Sequence, residues 1–479
     1  MLVTESLIKD LLGVVVTLVV VVFAYSKWRH QYWKRKNLPY YLVPTVQRNQ
    51  REGVETRRNF FLTRPVYFVI EPDYVRNVMS KDFQHFVNRG SYYNEEDDPL
   101  SAHLFAIGGQ KWRNLRMKLT PTFTSAKMKM MFPTVVECEG GLQKRIEEES
   151  LKNEPINIKE LLARFTTDVI GSCAFGLNCD TFSDENSPFR VYGQRILTAS
   201  GAETLKRLIA LNFPGFAHFL ALTVTPKDVD KFFRKMVTDT VNHREKNNVT
   251  RKDFMQLLID LKNNKLAEED GYKHDGKTLT LEEITAQSAV FFVAGFETSS
   301  TTMAFALYEL SKHQYIQDKV RYEINTVLAK HDNKITYEAI QEMKYMDQVI
   351  DETLRKYPPV SFLTHNDIVI EKGTMVVIPT LGLHYDEDYF PEAEKFDPER
   401  FSEENKNSRH LYVYIPFGEG PRMCIGMRFG IMQSKVGLAA LLRSHRFTLN
   451  AKTQEPFKWR PDSFVLAVEG DIWLNGQKV

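Results

Sequence analysis

The sequence predicts a mainly α-helical fold with a minor β portion, preceded by an N-terminal membrane anchor helix. Three observations carry this. An apolar run fills residues 11–25; amphipathic helical patterns dominate from about 73 to 350; and β-branched or aromatic runs are confined to 58–72, 366–380 and the C-terminus. Hydrophobic residues are 43% of the 479 positions, enough for one large core, and no linker, repeat or low-complexity stretch divides the body. Charge is nearly balanced, with Lys+Arg 63 against Asp+Glu 61, which argues against nucleic acid as a partner and against an acidic disordered tail. Four cysteines (Cys138, Cys173, Cys179 and Cys424) are too few for a disulfide framework and lack the close pairing of a zinc site. A reducing compartment is the better reading, with most of these thiols serving as small buried hydrophobes.

The run from Leu11 to Tyr25, LLGVVVTLVVVVFAY, approaches the roughly 20 residues a helix needs to cross a bilayer, although Lys9-Asp10 interrupts its start. Lys27, Arg29, Lys34, Arg35 and Lys36 follow, interleaved with Trp28, Tyr32 and Trp33. Basic residues on that side hold it in the cytosol, and the aromatics suit the headgroup layer. A cleaved signal peptide is the alternative; positive charge after the run and no small-residue cleavage site favour an uncleaved anchor. The expected organisation is an anchor at 1–25, a basic, aromatic and proline linker at 26–44, and one domain at 45–479.

Along the body, residues 58–72 read as a hairpin with its turn near Thr63-Arg64. Trp112 and Arg116 in WRNLR are i,i+4 on a helix, which alone reads as a core aromatic plus a surface charge. Thr280 and Glu283 form a capping box that opens a long helix to about His313. In its middle lies AGFETSS, Ala294 to Ser300, where a glycine and hydroxyls weaken the helix and can bend or bulge it. Glu297 and Thr298 there make an acid–alcohol pair, against the plain alternative of a polar helix face. Glu352 and Arg355 are i,i+3 on a helix that Pro358-Pro359 terminate, and PERF follows at 398–401. No glycine-rich strand–turn–helix offers a dinucleotide cradle anywhere.

The segment FGEGPRMCIG, Phe417 to Gly426, sets Cys424 among Gly418, Gly420 and Gly426. Glycines let backbone approach a flat cofactor and leave amides free to point at the sulfur. The apolar helical pattern that follows places Cys424 just ahead of a helix N-terminus, which favours a thiolate. A buried structural cysteine in a glycine loop is the alternative for any lone cysteine. Ten residues fitting F-x-x-G-x-R-x-C-x-G reverse those odds.

In this motif and across most of the body, the chain resembles the cytochrome P-450 family of haem-thiolate monooxygenases. KDFQHFVNRG (81–90), DDPLSAHLFA (97–106) and KLTPTFTSAKMKMMFPT (118–134) resemble its insect microsomal family-six branch, associated with detoxification of plant compounds and insecticides. The resemblance implies that fold: a helix-rich domain plus a small β-rich region. It also implies haem b with Cys424 as thiolate ligand, O2 as co-substrate, and NADPH electrons through a separate NADPH–cytochrome reductase, with cytochrome b5 as a further partner. The chain would sit on the endoplasmic reticulum membrane with its catalytic domain in the cytosol, and act on small lipophilic substrates. Thr298 and Glu297 would deliver protons to bound oxygen. Phe417, Gly418 and Gly426 would shape the cofactor loop; Trp112, Arg116 and Arg422 would meet haem propionates, as would the residue at the His365 position. Glu352, Arg355 and Arg400 would form a buried brace. The pocket would be lined by His103, Leu104, Phe105, Phe291, Phe292, Ala294, Val360, Phe362, Leu363 and Phe464, each of which could equally be ordinary core.

Two stretches are shorter than in the family, one between Pro44 and Phe60 and one at 365–366, where FLTH runs directly into NDIVIEKGTMVVIP. Relatives carry an arginine at the His365 position, then a β segment with a Pro-Gly turn. A neutral imidazole is a poorer propionate partner than a permanent cation, and a lost strand exposes a sheet edge. The expected function is insertion of one oxygen atom into lipophilic molecules. The alternative is a catalytically impaired haem or lipophile binder created by the shortened segments; a reductase-independent isomerase is disfavoured by the intact Glu297-Thr298.

Overall fold

A computed structural model describes residues 56–61, 64–265, 278–366, 374–460 and 463–479. The expected anchor and linker, the hairpin turn at 62–63 and the stretch 367–373 lie outside the described residues.

Helices dominate, as the periodicity predicts. The longer ones are α1 (Gly109–Leu119), α2 (Ser125–Lys152), α3 (Ile158–Ile170), α4 (Gly201–Asn212), α5 (Lys227–Lys246), α6 (Leu281–Lys312), α7 (Gln314–Ala329), α8 (Lys344–Lys356) and α9 (Met427–Leu442). The capping box starts α6 as expected: Thr280 Oγ1 accepts from Glu283 N–H, and Glu283 accepts from Thr280 N–H. At 32 residues α6 runs about 48 Å. Its residues 299–311 are buried on every side, so it is the axis of the core, packed against α3, α5, α8 and α9. Among the described residues it is the one helix long and apolar enough to cross a membrane, and its burial marks it as a core helix.

The β portion is two small sheets. In the first, β1 (Thr56–Phe61) and β2 (Arg64–Val69) form the expected hairpin, and β4 (Leu363–Asn366) and β5 (Met375–Ile378) complete the order β1-β2-β5-β4. Met375–Ile378 runs parallel to β2, and Leu363–Asn366 pairs antiparallel with β5, Leu363 opposite Ile378. So the sheet keeps a paired β4 at its edge despite the shortening. In the second sheet, order β3-β7-β6, His445–Leu449 and Trp473–Lys478 are the C-terminal strands, joined by a two-residue β3, Ile156–Asn157, that no sequence pattern announces.

One expectation differs. The AGFETSS segment is continuous α-helix with no bulge; π-turns occur instead at Asn77–Lys81 and Gly171–Phe175. The hydroxyls do back-bond to carbonyls, Thr298 to Ala294 at 2.8 Å and Thr302 to Thr298 at 2.9 Å. Gly295 is there for packing: a Cβ would stand 2.5 Å from Ile170 Cδ1 of α3. Its carbonyl accepts from Gln433 Nε2 of α9 at 2.8 Å, so three helices meet at this point.

Candidate functional site

The cysteine loop is held by its own backbone. Gly418 N–H donates to Ile415 O at 3.0 Å, Met423 N–H to Gly420 O at 3.0 Å, and Cys424 N–H to Phe417 O at 2.9 Å. Gly418 and Gly420 both have φ of +69°, a conformation other residues resist, and a Cβ on Gly420 would stand 2.0 Å from Met79 O. Phe417 anchors the loop by packing against the main core. Gly426 caps the start of α9. Protein surrounds Cys424, yet its surface is open, so the side chain faces an internal cleft. Burial pushes the thiol up, while the Gly426 N–H and the guanidiniums of Arg116 and Arg89 pull it down toward a thiolate.

Three arginines crowd this loop. Arg116, on α1, donates to Met423 O at 2.8 Å. Arg422 lies over the Trp112 ring, 4.2 Å from its centroid, and donates to Val87 O at 2.8 Å, Ile107 O at 2.7 Å and Phe105 O at 3.3 Å. Those contacts hold Arg422 to the 87–107 backbone and leave it little to offer an anion. The third is Arg89, which sequence reasoning missed. It donates to Arg422 O at 3.2 Å and lies 4.3 Å from the Phe105 ring centroid, with its Nε buried and unpartnered. Burial pulls Arg89 down to about 10 and Arg422 to about 9, so both stay charged at neutral pH. Among the described residues no carboxylate pairs with Arg89, Arg116 or Arg422. His365 is buried beside them, its Nδ1 2.9 Å from Phe86 O; burial, with help from Arg89 and Arg422, pushes it down to about 4. It is neutral there and adds no cation.

The middle of α6 presents the second part of the site. Ala294 is exposed between the fully buried Phe292 and Phe296, with Thr298 one turn further along the same face. The start of α9 lies against this stretch, since Gln433 reaches Ser299 Oγ at 2.6 Å and a Cβ on Gly430 would meet it at 3.6 Å. Glu297 does not touch Thr298. Its carboxylate pairs with Lys159 Nζ of α3 at 2.9 Å, and that lysine also donates to Ser300 Oγ at 2.7 Å and Thr301 Oγ1 at 2.9 Å. Lys159 is another residue the sequence did not flag.

Glu352 and Arg355 are both fully buried and paired through two bonds, at 2.7 and 2.9 Å. Asp397 N–H adds a third bond to Glu352 at 2.9 Å, and Arg400 Nε stands 3.6 Å away, an ion-pair distance but too long for a hydrogen bond. Burial raises the Glu352 carboxyl, and Arg355 opposes that shift.

The expected pocket residues divide. Phe105, Phe362 and Phe464 line a cavity of about 1610 Å³ that also includes Arg89, Leu466 and Trp459, with Phe105 and Phe464 in edge contact at 5.7 Å. Neither Cys424 nor Thr298 lines it, so it is an outer space reaching the loop region at Arg89 and Phe105. Leu363 lies against Gly418, and Val360 is half-buried just beyond α8. His103 has a buried, unpartnered Nδ1, and Leu104 donates its N–H to Gln287 Oε1 at 2.8 Å. Phe292 is fully buried among Phe175, Phe189, Phe233 and Phe296, and Phe291 packs on Phe123 and Phe254. Both pack in the main hydrophobic core, and apolar periodicity along a helix does not by itself tell a lining face from a packed one.

Three guanidiniums, Arg422 buried and Arg89 and Arg116 partly buried, have no carboxylate partner among the described residues and stand beside an inward-facing thiol; they suit a planar group that brings its own carboxylates and offers a metal to sulfur. Haem fits these residues. The family model for cytochrome P450 matches residues 42–474. Probable cytochrome P450 6a23 of Drosophila melanogaster is 43% identical over 98% of this chain and 99% of its own length. Cytochrome P450 6A1 of Musca domestica is 40% identical over 95% of each chain, and Drosophila melanogaster cytochrome P450 6a2 is 44% identical over 88% of this chain and 86% of its own. The alignment with the first spans 503 positions against the 479 residues here, so that relative carries stretches this chain lacks. The chain belongs to the cytochrome P450 family: a monooxygenase that uses haem on a cysteine thiolate, O2, and NADPH-derived electrons from a reductase, and acts on lipophilic substrates.

Proposed function

We propose that Cys424 is the thiolate ligand of the haem, and that the chain oxidises lipophilic foreign compounds on the cytosolic face of the endoplasmic reticulum. The observation that carries this is the inward-open thiol of Cys424, three residues ahead of α9 and next to guanidiniums with no carboxylate. Bound there, haem supplies oxygen activation. Arg116 and Arg89 would hold its carboxylates, while Trp112 backs Arg422 and Arg422 ties the cysteine loop to 87–107.

Protons are the protein's part of the chemistry. Thr298 Oγ1, bonded to Ala294 O at rest, turns its hydroxyl toward the open face of α6 to donate. Glu297, held by Lys159, is the acid next to that hydroxyl in sequence, and we assign it to the path between solvent and Thr298. Burial lowers the Lys159 pKa, and the Glu297 carboxylate opposes that shift. Phe105, Phe362 and Phe464 give a lipophile an aromatic entry wall, where shape more than hydrogen bonding orients it. The apolar run at 11–25 and the cations at 27–36 support a membrane anchor with a cytosolic domain, the face on which a reductase or cytochrome b5 would meet it.

The test is turnover under labelled dioxygen, with NADPH–cytochrome reductase and a panel of lipophilic insecticides or plant toxins. One labelled oxygen atom should appear in the product. Reductase-dependent product carrying oxygen from water would contradict the assignment.

A further inference from the structure

His384 lies at the end of the short helix Thr380–His384, fully buried, with both ring nitrogens engaged. Nε2 is 3.0 Å from the backbone nitrogen of Ile415, and Nδ1 is 3.1 Å from the carbonyl oxygen of Arg355. A backbone N–H can only donate, so Nε2 is the bare, accepting nitrogen. A carbonyl can only accept, so the single proton sits on Nδ1. Arg355 returns the contact by donating from its guanidinium to His384 O at 2.9 Å. The ring is flanked by Tyr414 and Phe390, at 5.3 and 6.4 Å between centroids.

These bonds join two parts of the molecule far apart in sequence. Arg355 is the partner of Glu352 at the C-terminal end of α8. Ile415 starts the cysteine loop: its carbonyl accepts from Gly418 N–H, and two residues on, Phe417 O accepts from Cys424 N–H. A rigid path of hydrogen bonds therefore runs from the Glu352–Arg355 pair through one imidazole to the backbone that carries Cys424. Arg400, a further cation near Glu352, bonds the carbonyl of Glu392.

We infer that His384 is a positioning residue for Cys424, a neutral imidazole that fixes the spacing between α8 and the base of the cysteine loop. This rests on Cys424 being the haem ligand, but its main readout does not. In the full-length protein, His384→Phe keeps a ring of similar bulk and removes both bonds. His384→Gln keeps an amide oxygen that can accept from Ile415 N–H. Amide hydrogen exchange is followed across Ile415–Cys424 and, as a control, across α2 and α5. The fraction of the ferrous carbon monoxide complex absorbing at about 450 rather than about 420 nm reports thiolate ligation.

Loss of the bond should speed exchange at Ile415, Gly418 and Cys424 roughly tenfold in His384→Phe, leave the control helices unchanged, and shift the complex toward the shorter wavelength. His384→Gln should restore most of both readouts. Loop exchange equal to wild type in His384→Phe would overturn the inference. So would equal acceleration in loop and control helices in both variants, since that describes an ordinary core residue. Were the wild type to lack the longer-wavelength band, the ligand assignment would fail, while loop exchange would still decide the role of His384.

Discussion

Arg89 keeps a charged guanidinium in the interior with Nε unpartnered, while the neighbouring His365 is neutral. An uncompensated buried donor is costly unless a ligand group satisfies it. Arg89 thus offers beside this loop a positive charge that the neutral His365 does not. Arg89→Gln should release haem to an acceptor protein at least tenfold faster, an order of magnitude in keeping with one lost charge-assisted hydrogen bond. Adding His365→Arg to that variant should bring the rate back, and no rescue would show that the two positions do not serve one anion. A second prediction concerns protons. Burial holds His103 at about 4 and His384 at about 3, both below the unfolded value near 6.5. The unfolded chain therefore takes up protons first. The contribution of these imidazoles is intact above about pH 6.5 and falls as pH drops toward 4, by up to about 1.4 kcal/mol per pH unit for each. Asp168 and Asp351, raised by burial to about 6, act in the opposite sense between their ordinary value and that pH. The difference between wild type and His103→Gln isolates the imidazole: the gap in melting temperature should narrow or reverse from pH 7 to pH 5. A constant gap would contradict it.

At the scale of elements, the brace between α8 and the Pro398–Phe401 turn is the strongest prediction. Glu352→Ala leaves Arg355 buried without its carboxylate, which typically costs about 3–5 kcal/mol, and haem incorporation should fail. Normal haem content in that variant would refute the brace. What was legible in the sequence at this scale were features within one helical turn. The Thr280–Glu283 box, the i,i+3 Glu352–Arg355 and the i,i+4 Trp112–Arg116 are local spacings, and local geometry makes them neighbours. Arg89, Lys159 and His384 were not legible because their partners are distant: Arg422, Glu297 and Ile415 lie 333, 138 and 31 residues away. Gly295 falls in the same class. Helix propensity reads it as a weak point, whereas the approach of Ile170 makes it necessary; Gly295→Val should cost about 1–3 kcal/mol by overpacking, measurable in urea.

At the scale of the whole molecule, α6 organises the site by spanning the core while leaving one stretch, around Ala294 and Thr298, open in its middle. The helical body and the small β portion were both readable from periodicity, because period 3.6 and period 2 survive in a sequence whatever the tertiary order. The order of the sheets, with β2 parallel to β5 across some 300 residues, was not. The shortened 365–366 region raised the prospect of an impaired binder, yet β4 still pairs with β5 along four residues and keeps His365 buried against Phe86 O. The central claim is that Cys424 ligates haem as a thiolate within this frame. Its most direct test is the spectrum of the dithionite-reduced protein under carbon monoxide. The account predicts a Soret band at about 450 nm in the wild type that Cys424→Ser abolishes; a wild-type band at about 420 nm, or a long-wavelength band that survives Cys424→Ser, would contradict it.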